Sequence, residues 1–154
     1  MATVTIGRKA PQFTLDGTGG KWASADALGA PLVLYFYPRD NTPGCTKEGQ
    51  SFAARHAAFR KCGATILGIS PDSVESHEKF KMKMGFPFDL LSDPLRRACT
   101  LYDVIKEKSL YGRKFLGVER STFLIDDKGV LRQEWRKVRV DGHAETVLAA
   151  VKAL

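Results

Sequence analysis

Of the three cysteines in this chain, Cys45 occupies the position where chemistry is most favoured. It lies in the stretch Pro38-Arg39-Asp40-Asn41-Thr42-Pro43-Gly44-Cys45-Thr46-Lys47-Glu48. An apolar run, Pro31 to Tyr37, enters this stretch, and a helical pattern, Thr46 to Lys61, leaves it. A strand–loop–helix unit of this kind puts Cys45 in or just before the first turn of the helix. The unpaired N–H groups and the dipole of a helix N-terminus favour negative charge there. The thiolate is the reactive form of cysteine, with a pKa of about 8.5 for a free side chain, and this position favours it.

The order Pro38…Thr42…Cys45 follows the spacing Pro-x3-Thr-x2-Cys, which resembles the active-site signature of the peroxiredoxins. The resemblance implies that Cys45 attacks the O–O bond of a peroxide and becomes a sulfenic acid. It implies that the Thr42 hydroxyl hydrogen-bonds the reacting oxygen, that Pro38 shields the thiolate from water, and that the Gly44 and Cys45 backbone N–H groups donate to the peroxide. Such a reaction needs a nucleophile, donors aimed at both oxygens and little competing water. It also profits from a cation that keeps its proton, which an arginine supplies together with a planar fork of donors. By spacing alone Arg120 is one of many surface arginines. The segment Gly117-Val118-Glu119-Arg120-Ser121-Thr122-Phe123 resembles the peroxiredoxin strand whose arginine completes the site. Glu48, nearly one helical turn beyond Cys45, either holds that guanidinium or serves only as a favourable acid in the first turn.

The resemblance covers almost the whole chain. Gly7-x-x-Ala10-Pro11-x-Phe13-x-Leu15 and the segment Lys106 to Asp126, with Tyr111-Gly112 and Gly117-Val118, are similar to the Q-type, or bacterioferritin-comigratory, branch. Many members of that branch carry a second, resolving cysteine five residues after the first, and others carry it in the next helix. Here those places hold Gln50 and Phe80-Lys81-Met82. Cys62, at the far end of one continuous helix, would stand about 25 Å from Cys45, against the ~7 Å limit for a bridge. Cys99 lies mid-helix among apolar residues, and free cysteines are commonly buried. The expectation is therefore no resolving cysteine, and a one-cysteine cycle. An external thiol (thioredoxin, glutaredoxin or a small thiol) would reduce the sulfenic acid. The family branch implies a monomer. Two other readings compete. A dithiol oxidoreductase needs Cys-x-x-Cys, and Glu48 fills the second place. A non-catalytic binding or chaperone module on the same fold has to be decided at the site.

The elements that must position these residues can be read in order. Phe13 and Leu15 with Asp16-Gly17-Thr18-Gly19-Gly20 suggest a short hairpin closing on Trp22; these glycines lack the helix and Lys-Ser/Thr pair of a phosphate loop. Leu32 to Tyr37 suits a strand covered on both faces. Ala64 to Ile69 is a second such strand. A helix over Ser73 to Met84 stops at Gly85, a strand follows over Phe88 to Leu91, and Asp93-Pro94 opens a helix to about Val104. Strands and helices that alternate in this way predict parallel strand pairs. Near the end, Arg120 begins a strand, Asp126-Asp127-Lys128-Gly129 turns it back on Val130 to Trp135, and a last helix starts near His143. The sum is an α/β chain of the thioredoxin-like type: a central mixed sheet flanked by helices, with an N-terminal hairpin extension, forming one domain over residues 1–154.

The bulk properties narrow the partners. The 154 residues carry a net charge of +7. The lysines and arginines are scattered rather than gathered with a binding motif, which reads as a solvated basic surface and not a nucleic-acid site. No stretch approaches the ~18 apolar residues of a membrane span. The opening, Met1 to Gly7, has no apolar leader run, and three cysteines without a framework suit a reducing compartment, the cytoplasm. His56, His77 and His143 are far apart without metal-ligand spacing, so no metal and no cofactor are expected.

Overall fold

The computed structural model describes residues 4–154. Of the opening Met1 to Gly7, read above as free of a leader, residues 1–3 lie outside the described residues. Among the described residues no helix is long and apolar enough to cross a membrane.

The N-terminal hairpin forms as expected, β1 (Thr14–Gly17) against β2 (Gly20–Ala23). Three apolar runs become β3 (Leu32–Phe36), β4 (Thr65–Ser70) and β5 (Asp89–Ser92), paired in parallel. All five residues of β3 are buried, because helices cover both faces of a strand at the centre of an α/β sheet. The C-terminal hairpin, β8 (Ser121–Ile125) with β9 (Leu131–Trp135), lies antiparallel beside β3. The seven-stranded order is β2-β1-β5-β4-β3-β8-β9, a mixed sheet. Alternation along β3 divides the core in two. Val33, Tyr35 and Tyr37 face one cluster, with Cys45, Phe52 and Val147; Leu34 and Phe36 face the other, with Cys99 and Tyr102.

The helices differ from the sequence pattern in instructive ways. The first is not continuous: α1 (Pro43–Ala54) ends at Arg55, whose φ of −109° and ψ of 9° leave the helical region, and α2 (His56–Lys61) restarts. The straight 25 Å rod assumed for the Cys45-to-Cys62 separation therefore does not exist. Helix α3 (Val74–Met84) runs between an N-cap at Ser73, whose side chain accepts from the Ser76 N–H, and Gly85 at a φ of +68°. Helix α4 (Arg97–Leu101) is much shorter than the Asp93-to-Val104 pattern suggests. Arg96 sits in the left-handed region, and the Asp93 carboxylate accepts the N–H groups of Arg97 and Cys99, both at 2.8 Å. That cap fixes the helix start four residues late. The last helix, α5 (His143–Lys152), follows Gly142 as expected.

Periodicity marks no element between Val104 and Ser121, yet β6 (Ile105–Leu110) and β7 (Arg113–Val118) form a separate two-stranded ribbon. Its tip, Tyr111-Gly112, has positive φ at both residues, the geometry of a two-residue hairpin turn. Strand β8 begins at Ser121, so Arg120 lies in the link just before it rather than in its first position.

Two close approaches set the depth of α1. An ideal Cβ on Gly49 would stand 2.4 Å from the Phe86 ring, so only glycine lets the helix lie this near. One at Gly44 would stand 3.0 Å from Arg120 Nη2, which lets the guanidinium close onto the loop.

Candidate active site

Strand β3 carries the chain to Tyr37, whose N–H still donates to Ile69 O at 3.0 Å, and the loop from Pro38 to Thr42 then turns into α1. Thr42 is the N-cap and Pro43 the first helical residue, so Gly44 and Cys45 occupy the second and third helical positions. Their N–H groups have no partner four residues back, as helix geometry requires. The sequence places Cys45 in this first turn, and the structure does the same. Its side chain packs into the core cluster, leaving the residue 2% exposed. Pro38 and Thr42 are half-buried beside it in sequence.

Arg120 comes from the opposite side of the cluster. The link before β8 is held by Glu119 N–H to Val104 O at 2.7 Å and Val138 N–H to Arg120 O at 3.0 Å. The side chain then spans the gap: Nη2 donates to Cys45 Sγ at 3.4 Å, and Nη1 donates to Glu48 Oε1 at 2.6 Å. So residues 45, 48 and 120, 75 positions apart in the chain, share one guanidinium. Of the two readings open for Glu48, the ion pair with Arg120 is the one the coordinates contain. Glu48 is 1% exposed and its Oε2 has no partner. Burial pushes its carboxyl up from 4.5 to about 7, with the charge and hydrogen bond of Arg120 pulling it back down.

The Thr42 hydroxyl donates to Arg39 O at 2.9 Å and makes no cap bond. With its hydrogen committed, the oxygen has lone pairs left, so it can accept from a peroxide O–H rather than donate to one.

Several groups near the loop escape sequence reasoning. Asp40, within the same loop, is buried and bound on both oxygens: Tyr37 Oη donates to Oδ1 at 2.6 Å, Ser76 Oγ donates to Oδ2 at 2.8 Å, and His77 Nδ1 lies 2.7 Å from Oδ2. The Asp40 N–H donates to Asp72 Oδ2 at 2.8 Å. His77 Nε2 lies 2.9 Å from Leu91 O. The available signal was the placement of His77 three residues before Phe80, on one face of α3. His143 is a second such residue, its Nε2 2.7 Å from Thr122 Oγ1 and its ring edge-on to Trp135 and Phe52. Burial, helped by Arg120, lowers His143 to about 4.

Asp40, Asp72 and His77 form, among the described residues, the group whose ligand-type atoms lie within 4.8 Å of one another. Tyr37, Ser76 and Ser70 hydroxyls and the Asp40 N–H donate to the carboxylates of this group. The two remaining cysteines lie against different core clusters. Cys99 lies in the cluster on the other face of the sheet. Burial pushes its thiol well above the ordinary range, and the Asp93 carboxylate adds to the shift. Cys62 is half-buried as the C-cap of α2.

The arrangement is a sulfur at a helix N-terminus, a cation fixed against it by a buried acid, and a loop with an acceptor hydroxyl. Comparison with known proteins agrees with that chemistry. The AhpC/TSA family matches residues 6–134. Peroxiredoxin Bcp of Xanthomonas campestris is 53% identical over 142 residues, covering 92% of this chain and 83% of its own. Peroxiredoxin Bcp of Bacillus subtilis is 46% identical over 151 residues, covering 97% and 96%. A structure of the Xanthomonas campestris bacterioferritin comigratory protein, described for its alkyl peroxide reduction activity, superposes with a TM-score of 0.88 at 51% identity, covering 92% of this chain and 90% of its own. This chain belongs to the AhpC/TSA family, within its bacterioferritin-comigratory, peroxiredoxin Q branch, and is a thiol-dependent peroxidase.

Proposed function

We propose that Cys45 is the peroxidatic cysteine of a one-cysteine cycle that reduces hydrogen peroxide and alkyl hydroperoxides. The observation that carries this reading is the 3.4 Å contact between Arg120 Nη2 and Cys45 Sγ, on a guanidinium already clamped by Glu48. Arginine keeps its charge, so it stabilises the thiolate and the charge that develops on oxygen as the bond breaks. Thr42 accepts the hydrogen of the attacked oxygen, the Gly44 and Cys45 N–H groups donate to the peroxide, and Pro38 limits water.

The steps balance. The Cys45 thiolate attacks the terminal oxygen of ROOH, the O–O bond breaks, and RO⁻ leaves and takes a proton to give ROH; the sulfur is now a sulfenic acid. An external thiol attacks that sulfur, water leaves, and a mixed disulfide forms. A second thiol releases Cys45 and carries away the disulfide. Glu48, buried where Cys-x-x-Cys chemistry needs its second thiol, speaks against a dithiol cycle. Cys99, on the far face with a raised pKa, does not serve as a resolving thiol, and neither does Cys62. The reductant is thioredoxin, glutaredoxin or a small thiol. The chain works as one domain over residues 1–154, as a monomer in the cytoplasm, a reducing setting that suits three unbridged cysteines.

The test is intact mass after one equivalent of hydrogen peroxide, with and without dimedone. A dimedone adduct on Cys45 and no mass loss of two hydrogens is the expected result. An internal disulfide formed under native conditions would overturn the one-cysteine cycle, and no adduct at all would overturn Cys45 as the reacting sulfur.

A further inference from the structure

We propose that Asp40 is a positioning residue for peroxide reduction, holding the loop that presents Thr42 at the start of α1. This rests on the reading of Cys45 as the peroxidatic sulfur. Asp40 is two residues before Thr42 and only 7% exposed. Its carboxylate gathers donors from two separate elements: Tyr37 at the end of β3, and Ser76 and His77 on α3. Its N–H is held in addition by Asp72, which follows β4 and is itself fixed by the Ser70 hydroxyl at 2.5 Å. His77 passes the restraint on to β5 through Leu91 O. Asp40 thus ties the loop to Tyr37 beside β3 and to α3 through its carboxylate, to Asp72 after β4 through its N–H, and through His77 to β5.

The loop needs such a tie. Asn41, between Asp40 and Thr42, has a φ of +60°, a conformation that L side chains disfavour and that surrounding contacts must hold. The same segment contributes, at Arg39 O, the acceptor that orients the Thr42 hydroxyl. If the loop relaxes, Thr42 loses both its place and its orientation. The sulfur and Arg120 lie on other elements and keep their contact. The proposal therefore separates two effects that a general loss of structure would merge: the attack slows while thiolate formation does not change.

Asp93 provides the control. It is also a buried carboxylate with both oxygens bound, but its donors are the backbone N–H groups of Arg97 and Cys99 on the other side of the sheet. Asp40→Asn and Asp93→Asn each replace a carboxylate with a near-isosteric amide and cost stability in similar ways. The measurements are the second-order rate constant for Cys45 oxidation by hydrogen peroxide in stopped flow, the thiolate titration of Cys45 by absorbance, and the thermal midpoint. For Asp40→Asn we expect a rate constant roughly fivefold lower, no more than the loss of the Thr42 hydroxyl itself, with the thiolate titration unmoved. Asp93→Asn should keep the wild-type rate constant at a comparable loss of thermal midpoint. If Asp40→Asn does not fold, Ser76→Ala and Tyr37→Phe each remove one donor to Asp40 and carry the same comparison, with a smaller drop. Wild-type rates in the variants that fold would overturn the proposal. So would a thiolate titration that shifts in step with the rate, or an equal slowing in Asp93→Asn. A wild-type protein that forms no sulfenic acid would instead remove the peroxidatic reading on which the proposal rests.

Discussion

Cys45 and Cys99 are the same side chain at nearly the same depth, 2% and 0% exposed, on opposite faces of one sheet. Their electrical surroundings are reversed. Cys45 meets the start of α1 and a guanidinium at 3.4 Å. Cys99 meets a carboxylate, Asp93, which together with burial drives its thiol toward the neutral form. Burial alone therefore makes an inert thiol in this fold. On the reading proposed above, the other sulfur becomes a nucleophile through what surrounds it: a helix N-terminus, a fixed cation and the Thr42 loop. The Arg120–Glu48 pair brings its own cost, since a buried carboxyl with one unpartnered oxygen resists ionisation.

That contrast can be broken in graded steps. Cys45→Ser should abolish peroxide turnover and leave the circular dichroism spectrum unchanged; residual turnover carried by Cys99 would end the distinction between the two sulfurs. Arg120→Met should lower the oxidation rate constant by roughly 10²–10³-fold, the usual loss when one charge-stabilising donor is removed; a smaller effect in stopped flow would move the burden to the helix N-terminus. Thr42→Val removes the hydroxyl's bond to the peroxide, worth about 1 kcal/mol, so the rate should fall by roughly fivefold; the exposed bond to Arg39 O goes with it, so the thermal midpoint should drop slightly.

Glu48→Gln tests the cost of the buried acid. Its folded value, about 7, lies above the unfolded 4.5, so the folded protein holds this proton more tightly. The stability it contributes is complete below about pH 4.5 and is lost as pH rises through 7. The thermal midpoint of Glu48→Gln relative to wild type should therefore climb between pH 5 and 8, and a flat difference would show that Arg120 already keeps the carboxylate ionised. Cys99→Ala should have the smallest effect, an unchanged rate constant and a stability loss of about 1 kcal/mol by chemical denaturation. A slowed rate in that variant would mean that the two faces of the sheet are coupled.

The sheet was legible because its strands announce themselves. Leu32 to Phe36 is an unbroken apolar run between prolines, and the N- and C-terminal hairpins carry recognisable turns, Gly17 to Gly20 and Asp126 to Gly129. The ribbon β6–β7 was not legible: its residues between Ile105 and Val118 are mostly exposed and mix charged with apolar types, so neither period dominates. The break at Arg55 and the late start of α4 were hidden for another reason. Both are settled by backbone geometry and a distant cap rather than by side-chain pattern. At the site, Cys45 and its place in the first helical turn were readable, and Arg120 was singled out only through its resemblance to a known strand. Asp40 was invisible, because the donors that give it meaning, Ser76 and His77, lie 36 and 37 residues away.

The bare contact between Gly49 and Phe86 works as a spacer of zero thickness. It fixes how far the sulfur sits below the molecular skin, and hence how bulky an electrophile can reach it. A methyl group added at 49 against the intact Phe86 ring would have to push α1, and the sulfur it carries, away from that ring.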